Sequence, residues 1–327
     1  MNTTFTIALS THRLESLPYA REAMSRHQAI VLEEPPSPTL SRVLQGAAAV
    51  EEYLWELDAE FPEFSRQQLA ILQGLWQEGR TILQVEPYLE RLLAIHELFA
   101  QEVSPDEVRS REELREVYDV EREATAALLR FYEVSLPAPF PEVVAAVQEF
   151  ARRDAARFRV RDAMRAQALA ALAGKFETIY VETGHMHLSL PGELRRALNG
   201  RGKVRPHFLL GAVARQRRRR PRVFGPGDEL TFAYLFKRPI APKTEQLLAA
   251  RSLIYIKLLG KEELPDKTSP TPHLDEELAL SALVCQLSYA DCAELYPLLK
   301  QAPLAQAKNL VSRFLTEKGS GGRSENT

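Results

Sequence analysis

Carboxylates and imidazoles collect at the ends of four short β-type runs. Phe5–Leu9 leads through Ser10 and Thr11 to His12, and Ala29–Leu32 ends in Glu33 and Glu34. Thr81–Val85 runs into Glu86, while Thr178–Val181 runs into Glu182, His185 and His187. A carboxylate at the edge of a low-dielectric core costs several kcal/mol unless a cation, a proton or a hydrogen-bond donor compensates it. Four strands that end this way predict one shared pocket. Carboxylates and neutral imidazoles together form a hard-to-borderline ligand set, suited to a divalent ion such as Mn, Co or Zn, with His12, Glu33 and His187 as candidate ligands. Two residues apart in an extended segment, His185 and His187 face the same way and can reach one ion or ligand. A bound ion would lower the pKa of its water and polarise a carbonyl, the logic of metal-assisted hydrolysis.

The elements that must position these groups follow from the apolar pattern. The four runs are apolar rather than alternating, which suits strands covered on both faces in a parallel sheet, and Pro206–Gly211 is a fifth run. Helical periods fall between them, at Leu14–His27, Thr39–Glu60 and Ser65–Gln77, with Gly79 as a stop signal. Residues 86–175 read as almost wholly helical, with Ser104 capping a helix that has Pro105 at its first position and a break at Ser135–Pro141. The expectation is an α/β fold: a mostly parallel central sheet flanked by helices, a long helical insertion between strands 3 and 4, and a helical C-terminal region. The α/β domain is expected over 1–260 with its insertion at about 90–175. Residues 261–317 then form a helical region packed on it, and 318–327 a disordered tail. Within this scheme Leu230–Phe236 alternates like an antiparallel strand, and Thr244–Leu259 and Asp275–Leu299 read as helices. In parallel sheets ligands bind at the carboxyl ends of the strands, where the four polar clusters lie.

An ordered set of motifs resembles a known family. The stretch Glu182–Leu198, with Gly184-His185-Met186-His187 followed by leucine and proline, resembles the second Gly-x-x-His motif of the TraB/Tiki superfamily, related to ChaN-like proteins and erythromycin esterases. His12 after the first strand and the Glu33–Glu34 pair after the second match its upstream elements. Arg157–Leu172 is similar to its Arg-Asn/Asp-x-x-Met helix, and Glu86 sits where such folds place a further carboxylate. The first motif reads Leu9-Ser10-Thr11-His12 and lacks the family's glycine. The resemblance implies hydrolysis of a peptide, amide or ester bond. Tiki-like members imply a metal-dependent route. The erythromycin-esterase branch implies a metal-free one, with His12 as general base, Glu33 or Glu34 orienting it, Arg161 stabilising negative charge, and His187 positioning substrate. Glu86, Glu182 and His185 are expected to contact substrate. ChaN-like relatives imply an alternative, a haem- or small-ligand-binding protein without turnover that uses His12, His185 and His187. A regulatory domain with a decayed site is a third.

Composition bounds the rest. In 327 residues, 45% hydrophobic and 26% charged, the formal net charge is −2, so no global field draws the chain to nucleic acid or membrane. No uncharged run approaches a membrane span of roughly 18 residues, and the N-terminus has no signal-peptide pattern, so a cytoplasmic protein is expected. Cys285 and Cys292 read as buried reduced thiols. The arginines at 215, 217–220 and 222 form a basic run without interleaved aromatics, which argues against sequence-specific nucleic-acid reading. The run follows the fifth strand and is expected either as a solvated loop or as a rim that selects acidic substrates. His27, His96, His207 and His273 have no partner in local sequence and are read as structural or exposed. The expected partner is a small molecule or peptide, and an oligomer is compatible with the sequence.

Overall fold

The computed structural model describes residues 2–57, 59–218, 223–264 and 269–321. The chain opens with β1 (Thr3–Ser10), α1 (Leu17–Met24) and β2 (Ala29–Leu32). Three helices follow, α2 (Pro38–Leu44), α3 (Val50–Leu57) and α4 (Pro62–Gln77), and then β3 (Thr81–Gln84). A helical stretch comprises α5 (Pro87–Ala100), α6 (Pro105–Ser110), α7 (Glu112–Ser135) and α8 (Phe140–Ala170). After it come β4 (Thr178–Gly184), α9 (Leu190–Leu198), β5 (Gly202–Phe208) and α10 (Gly211–Arg218). The rest is helical: α11 (Pro226–Leu235), α12 (Pro242–Leu258), α13 (Pro272–Val284), α14 (Tyr289–Leu299) and α15 (Leu304–Gly321).

The five strands form one sheet in the order β3-β2-β4-β1-β5, and every pairing is parallel. β4 inserts between β1 and β2, so the four strands that carry the polar clusters are consecutive neighbours. Ala8, Ile30, Leu32 and Tyr180 pack on one face against Met24, Leu69 and Leu72. Phe5, Ile7, Val31, Ile179 and Val181 pack on the other against Leu169, Leu190 and Leu194. Burying each of the valine, leucine, isoleucine, phenylalanine and methionine side chains among them stabilises the fold by about 1.5–3 kcal/mol. Cover on both faces is the reason these runs do not alternate.

By contact the chain divides into two units, residues 1–123, 156–222 and 263–271 in the first and 124–155, 223–262 and 272–327 in the second. Residues 124–155 of the expected insertion and 223–260 of the expected α/β domain therefore group with the C-terminal helices. The second unit has its own core, including Val143, Leu230, Leu253, Ile254, Val284 and Leu299.

Several local expectations change. Leu230–Phe236 is not a strand: Pro226 opens α11, and the Asp228 carboxylate accepts the Gly225 amide at 2.9 Å, so capping chemistry decides against the alternating pattern. The helix expected over Thr39–Glu60 breaks into α2 and α3 at Gly46, whose φ of 72° is left-handed. Asp275–Leu299 breaks where Ser288 caps α14 by accepting the Asp291 amide at 3.2 Å. β5 starts earlier than its apolar segment because an edge strand keeps a polar outer side, and it tolerates Pro206 for the same reason. Residues 318–321 of the expected tail continue α15, and 322–327 lie outside the described residues. Cys292 is buried, but Cys285 is exposed.

Thr3 ties the start of the sheet to the segment before β4. Its buried hydroxyl donates to Phe176 O at 2.7 Å and accepts the Gly174 amide at 2.8 Å. Thr3→Val keeps the shape but strands both backbone groups, so denaturant unfolding is expected to show a loss of about 2 kcal/mol.

Candidate functional site

Glu33, the residue after β2, is the centre of the site. Its carboxylate accepts the Gly184 amide at 2.6 Å, the Arg161 Nη2 at 2.9 Å, and the His187 Nε2 at 2.7 Å. Arg165 Nη1 lies 3.8 Å away. Burial alone would raise the Glu33 pKa, but the charges of His187, Arg161 and Arg165 outweigh it and hold the carboxyl well below the usual range. His187 is bonded through its other nitrogen to Asp162, which also accepts the Ser189 hydroxyl. Burial would lower the imidazole's pKa, yet the two flanking carboxylates push it up to about 9. His187 is therefore an imidazolium at neutral pH.

Helix α8 delivers the compensating cations. Phe158, Arg161, Asp162 and Arg165 recur at helical spacing, so one face of the helix meets the strand ends. Arg165 is fully buried and donates to Val85 O at 3.0 Å, Glu182 O at 2.8 Å and Thr183 Oγ1 at 3.3 Å, stitching β3 to β4. Glu86 is fully buried, with Arg161 Nε at 3.4 Å and Arg165 Nε at 3.6 Å. Phe158 sets its ring edge-on to His187, centroids 5.1 Å apart. Three carboxylates, Glu33, Glu86 and Asp162, thus meet three cations, Arg161, Arg165 and His187.

Outside this balanced cluster sit two acids without a guanidinium of their own. Glu34 accepts the Tyr53 hydroxyl at 2.5 Å and the Gln84 amide at 3.2 Å. Gln84 is oriented by its carbonyl, which accepts the Ser37 amide at 2.8 Å. Glu182 accepts the side-chain amide of Gln68. Burial raises the Glu34 pKa to about 7, and the charge of Glu182 adds to the effect. Burial likewise raises Glu182 to about 7; the Gln68 bond opposes the rise and the charge of Glu33 adds to it.

His12 faces this pair. Its backbone is left-handed, φ 52°, and is supported by a bond from its amide to Ser10 Oγ at 3.1 Å. The ring packs against Phe64 at 5.6 Å. The side chain is 31% exposed, but Nε2 itself is buried, makes no hydrogen bond, and lies 3.9 Å from Glu182 Oε1. Burial lowers the His12 pKa, the Glu33 charge notwithstanding. Gly184 marks the convergence: a Cβ there would lie 3.5 Å from His187 Cδ2, 3.7 Å from Glu33 Oε2 and 3.9 Å from His12 Cε1.

Comparison with known proteins adds one relative. The chain is 30% identical over 291 residues to an uncharacterized protein of Archaeoglobus fulgidus, covering 89% of this chain and 97% of that one. The chain belongs to that protein's family. No protein-family model and no solved structure matches it. Within this family member, the expected residues meet at one site. His12, Glu33, Glu34, Glu86, Arg161, Glu182 and His187 join one network at the carboxyl ends of β1 to β4. His185 donates its amide to Ser10 O at 2.7 Å and holds the turn against β1. Leu9 is an ordinary strand residue, paired with Thr183 and Phe208, so its position needs no glycine.

Asp162, Arg165, Gln68, Tyr53 and Gln84 were not expected. Asp162 and Arg165 had a signal, being polar residues where the apolar stripe of α8 should continue to Leu169. Gln68, Tyr53 and Gln84 had none, since each acts through a contact distant in sequence. The metal expectation does not fit this arrangement. Both His187 nitrogens are taken by carboxylates, and Glu33 is already occupied by cations. Among the described residues no group of three or more His, Cys, Asp or Glu is arranged to hold an ion.

The His187 pKa has a measurable consequence. Raised from 6.5 to about 9 on folding, it contributes stability that is full below 6.5 and lost as pH rises through 9, about 3 kcal/mol in all. Unfolding free energies should fall from pH 8 to 10, above the range where Glu34 and Glu182 ionise, and His187→Gln should remove that part of the fall.

Proposed function

We propose that this protein is a hydrolase acting on a peptide, amide or ester bond, with His12 as general base. One observation carries the reading: a histidine with an unbonded Nε2 stands beside Glu182 and converges with Glu33 and His187 on Gly184. A lowered pKa keeps the ring neutral and able to accept a proton at pH 7. His12 takes a proton from water, and the oxygen attacks the acyl carbon. Arg161, 22% exposed on its side chain, stabilises the oxyanion that develops. The intermediate collapses, the C–O or C–N bond breaks, and the leaving group takes the proton back from His12. Glu182 and Glu34 stabilise the transient imidazolium. Glu33 is a positioning residue, since its oxygens are committed to Gly184, Arg161 and His187.

The order of motifs supports placing the chain near the TraB/Tiki superfamily and its erythromycin-esterase branch, by the metal-free route. Haem ligation by His187 finds no support, because neither ring nitrogen is available. No helix among the described residues is long and apolar enough to cross a membrane. The unpaired thiols of Cys285 and Cys292 support a reducing, cytoplasmic setting.

His12→Ala should lower turnover of an ester and peptide panel by 10²–10⁴-fold, roughly the span of a lost general base, while circular dichroism is unchanged. Wild-type turnover should survive a chelator, and because burial lowers the His12 pKa its rate should hold through the ordinary imidazole range and fall only at more acidic pH, where His12 gains a proton. A His12→Ala variant as active as wild type would sink the assignment.

A further inference from the structure

A second site lies at the edge of the sheet, where the proposed chemistry uses no residue. A cavity of about 250 Å³ opens between α1, the end of β5 and the start of α10. That volume suits a small anion with a short organic body and is below the usual range for a drug-sized ligand. The floor is apolar, formed by the buried Ala23 and Leu209. The rim is basic, with Arg26 from α1, His207 from β5 and Arg215 from α10.

Charge in the cavity is not balanced. Glu22 is its acid, and it is committed to an ion pair with Arg26 one helical turn away. Arg215 makes no ion pair among the described residues, so its charge stands uncompensated. Arg26, His207 and Arg215 line the same cavity, and burial, with the charges of the two guanidinium groups, lowers the His207 pKa. Gly211 and Ala212, the first residues of α10, also line the cavity. The first amides of a helix have no carbonyl partner within it, and they carry the positive end of its dipole. Ala214 is the first residue after them whose amide is paired, with Leu210 O at 2.9 Å. Guanidinium groups, an imidazole and open amides from three separate elements make a donor set for oxyanions.

We propose that this cavity binds a phosphate group, as inorganic phosphate or as a small phosphate monoester, through Arg215, Arg26, His207 and the amide end of α10. Arg215 belongs to the basic run that the sequence displays after β5, and this gives its first arginine a task distinct from catalysis.

Titration of the full chain with inorganic phosphate, by calorimetry in chloride buffer at constant ionic strength, tests the site. Saturable binding of one phosphate per chain is expected. Arg215→Ala should weaken it at least tenfold with circular dichroism unchanged. Arg217→Ala, which alters the same helix without touching the cavity lining, should bind as wild type does. Non-saturating binding, an intact affinity in Arg215→Ala, or an equal loss in Arg217→Ala would overturn the proposal. Since the readout is binding, none of these results bears on whether His12 catalyses hydrolysis.

Discussion

Glu33 holds three partners that come from distant parts of the chain: the Gly184 amide after β4, Arg161 on α8 and His187 in the turn before α9. A carboxylate placed at the end of a fully buried strand cannot be hydrated, so the fold must satisfy it from within. The partners it takes are charged, and each then needs its own compensation. His187 takes Asp162, Arg161 takes Glu86, and Arg165 reaches over Glu86 to the carbonyls of Val85 and Glu182. Desolvation of one acid therefore organises a cluster of six charged groups.

Such a cluster holds geometry better than it adds stability. A buried ion network roughly offsets its own desolvation, but removing one member leaves an uncompensated charge at a cost of about 3–5 kcal/mol. The balance of three acids against three cations also explains why Glu34 and Glu182 behave differently. Cations within the cluster are already engaged, so burial outweighs the bonds these two acids receive from Tyr53, Gln84 and Gln68, and both rise to about 7. His12 meets the side of the site that has spare negative charge, which is where an imidazolium would be stabilised. The inner cluster fixes positions and the outer groups are left able to exchange protons.

Helix α8 shows how one element serves both purposes. Its C-terminal part packs Ala166, Leu169 and Ala170 against the sheet, and one turn earlier the same stripe turns polar with Asp162 and Arg165. Arg161 was readable through the resemblance of Arg157–Leu172 to a family motif. The targets of Arg165 were not readable, because Val85, Glu182 and Thr183 come from strands that the sheet brings together. The alternation of Leu230–Phe236 misled for a related reason: local pattern carried no account of the Pro226 start and Asp228 cap that commit the segment to a helix.

Several things were settled by the sequence alone: the parallel α/β class, the four strand ends with their acids and histidines, and the helical content between and after them. These depend on burial and periodicity, which act locally. Tertiary structure decided the rest. It inserted β4 between β1 and β2, bonded both nitrogens of His187 and left Nε2 of His12 unbonded, and so separated a fully bonded histidine from an unbonded one. Two imidazoles of identical chemistry acquired opposite proton affinities because burial lowers both, and only His187 has carboxylates bonded to its two nitrogens that outweigh it. That difference comes from the strand order, which brings distant segments together.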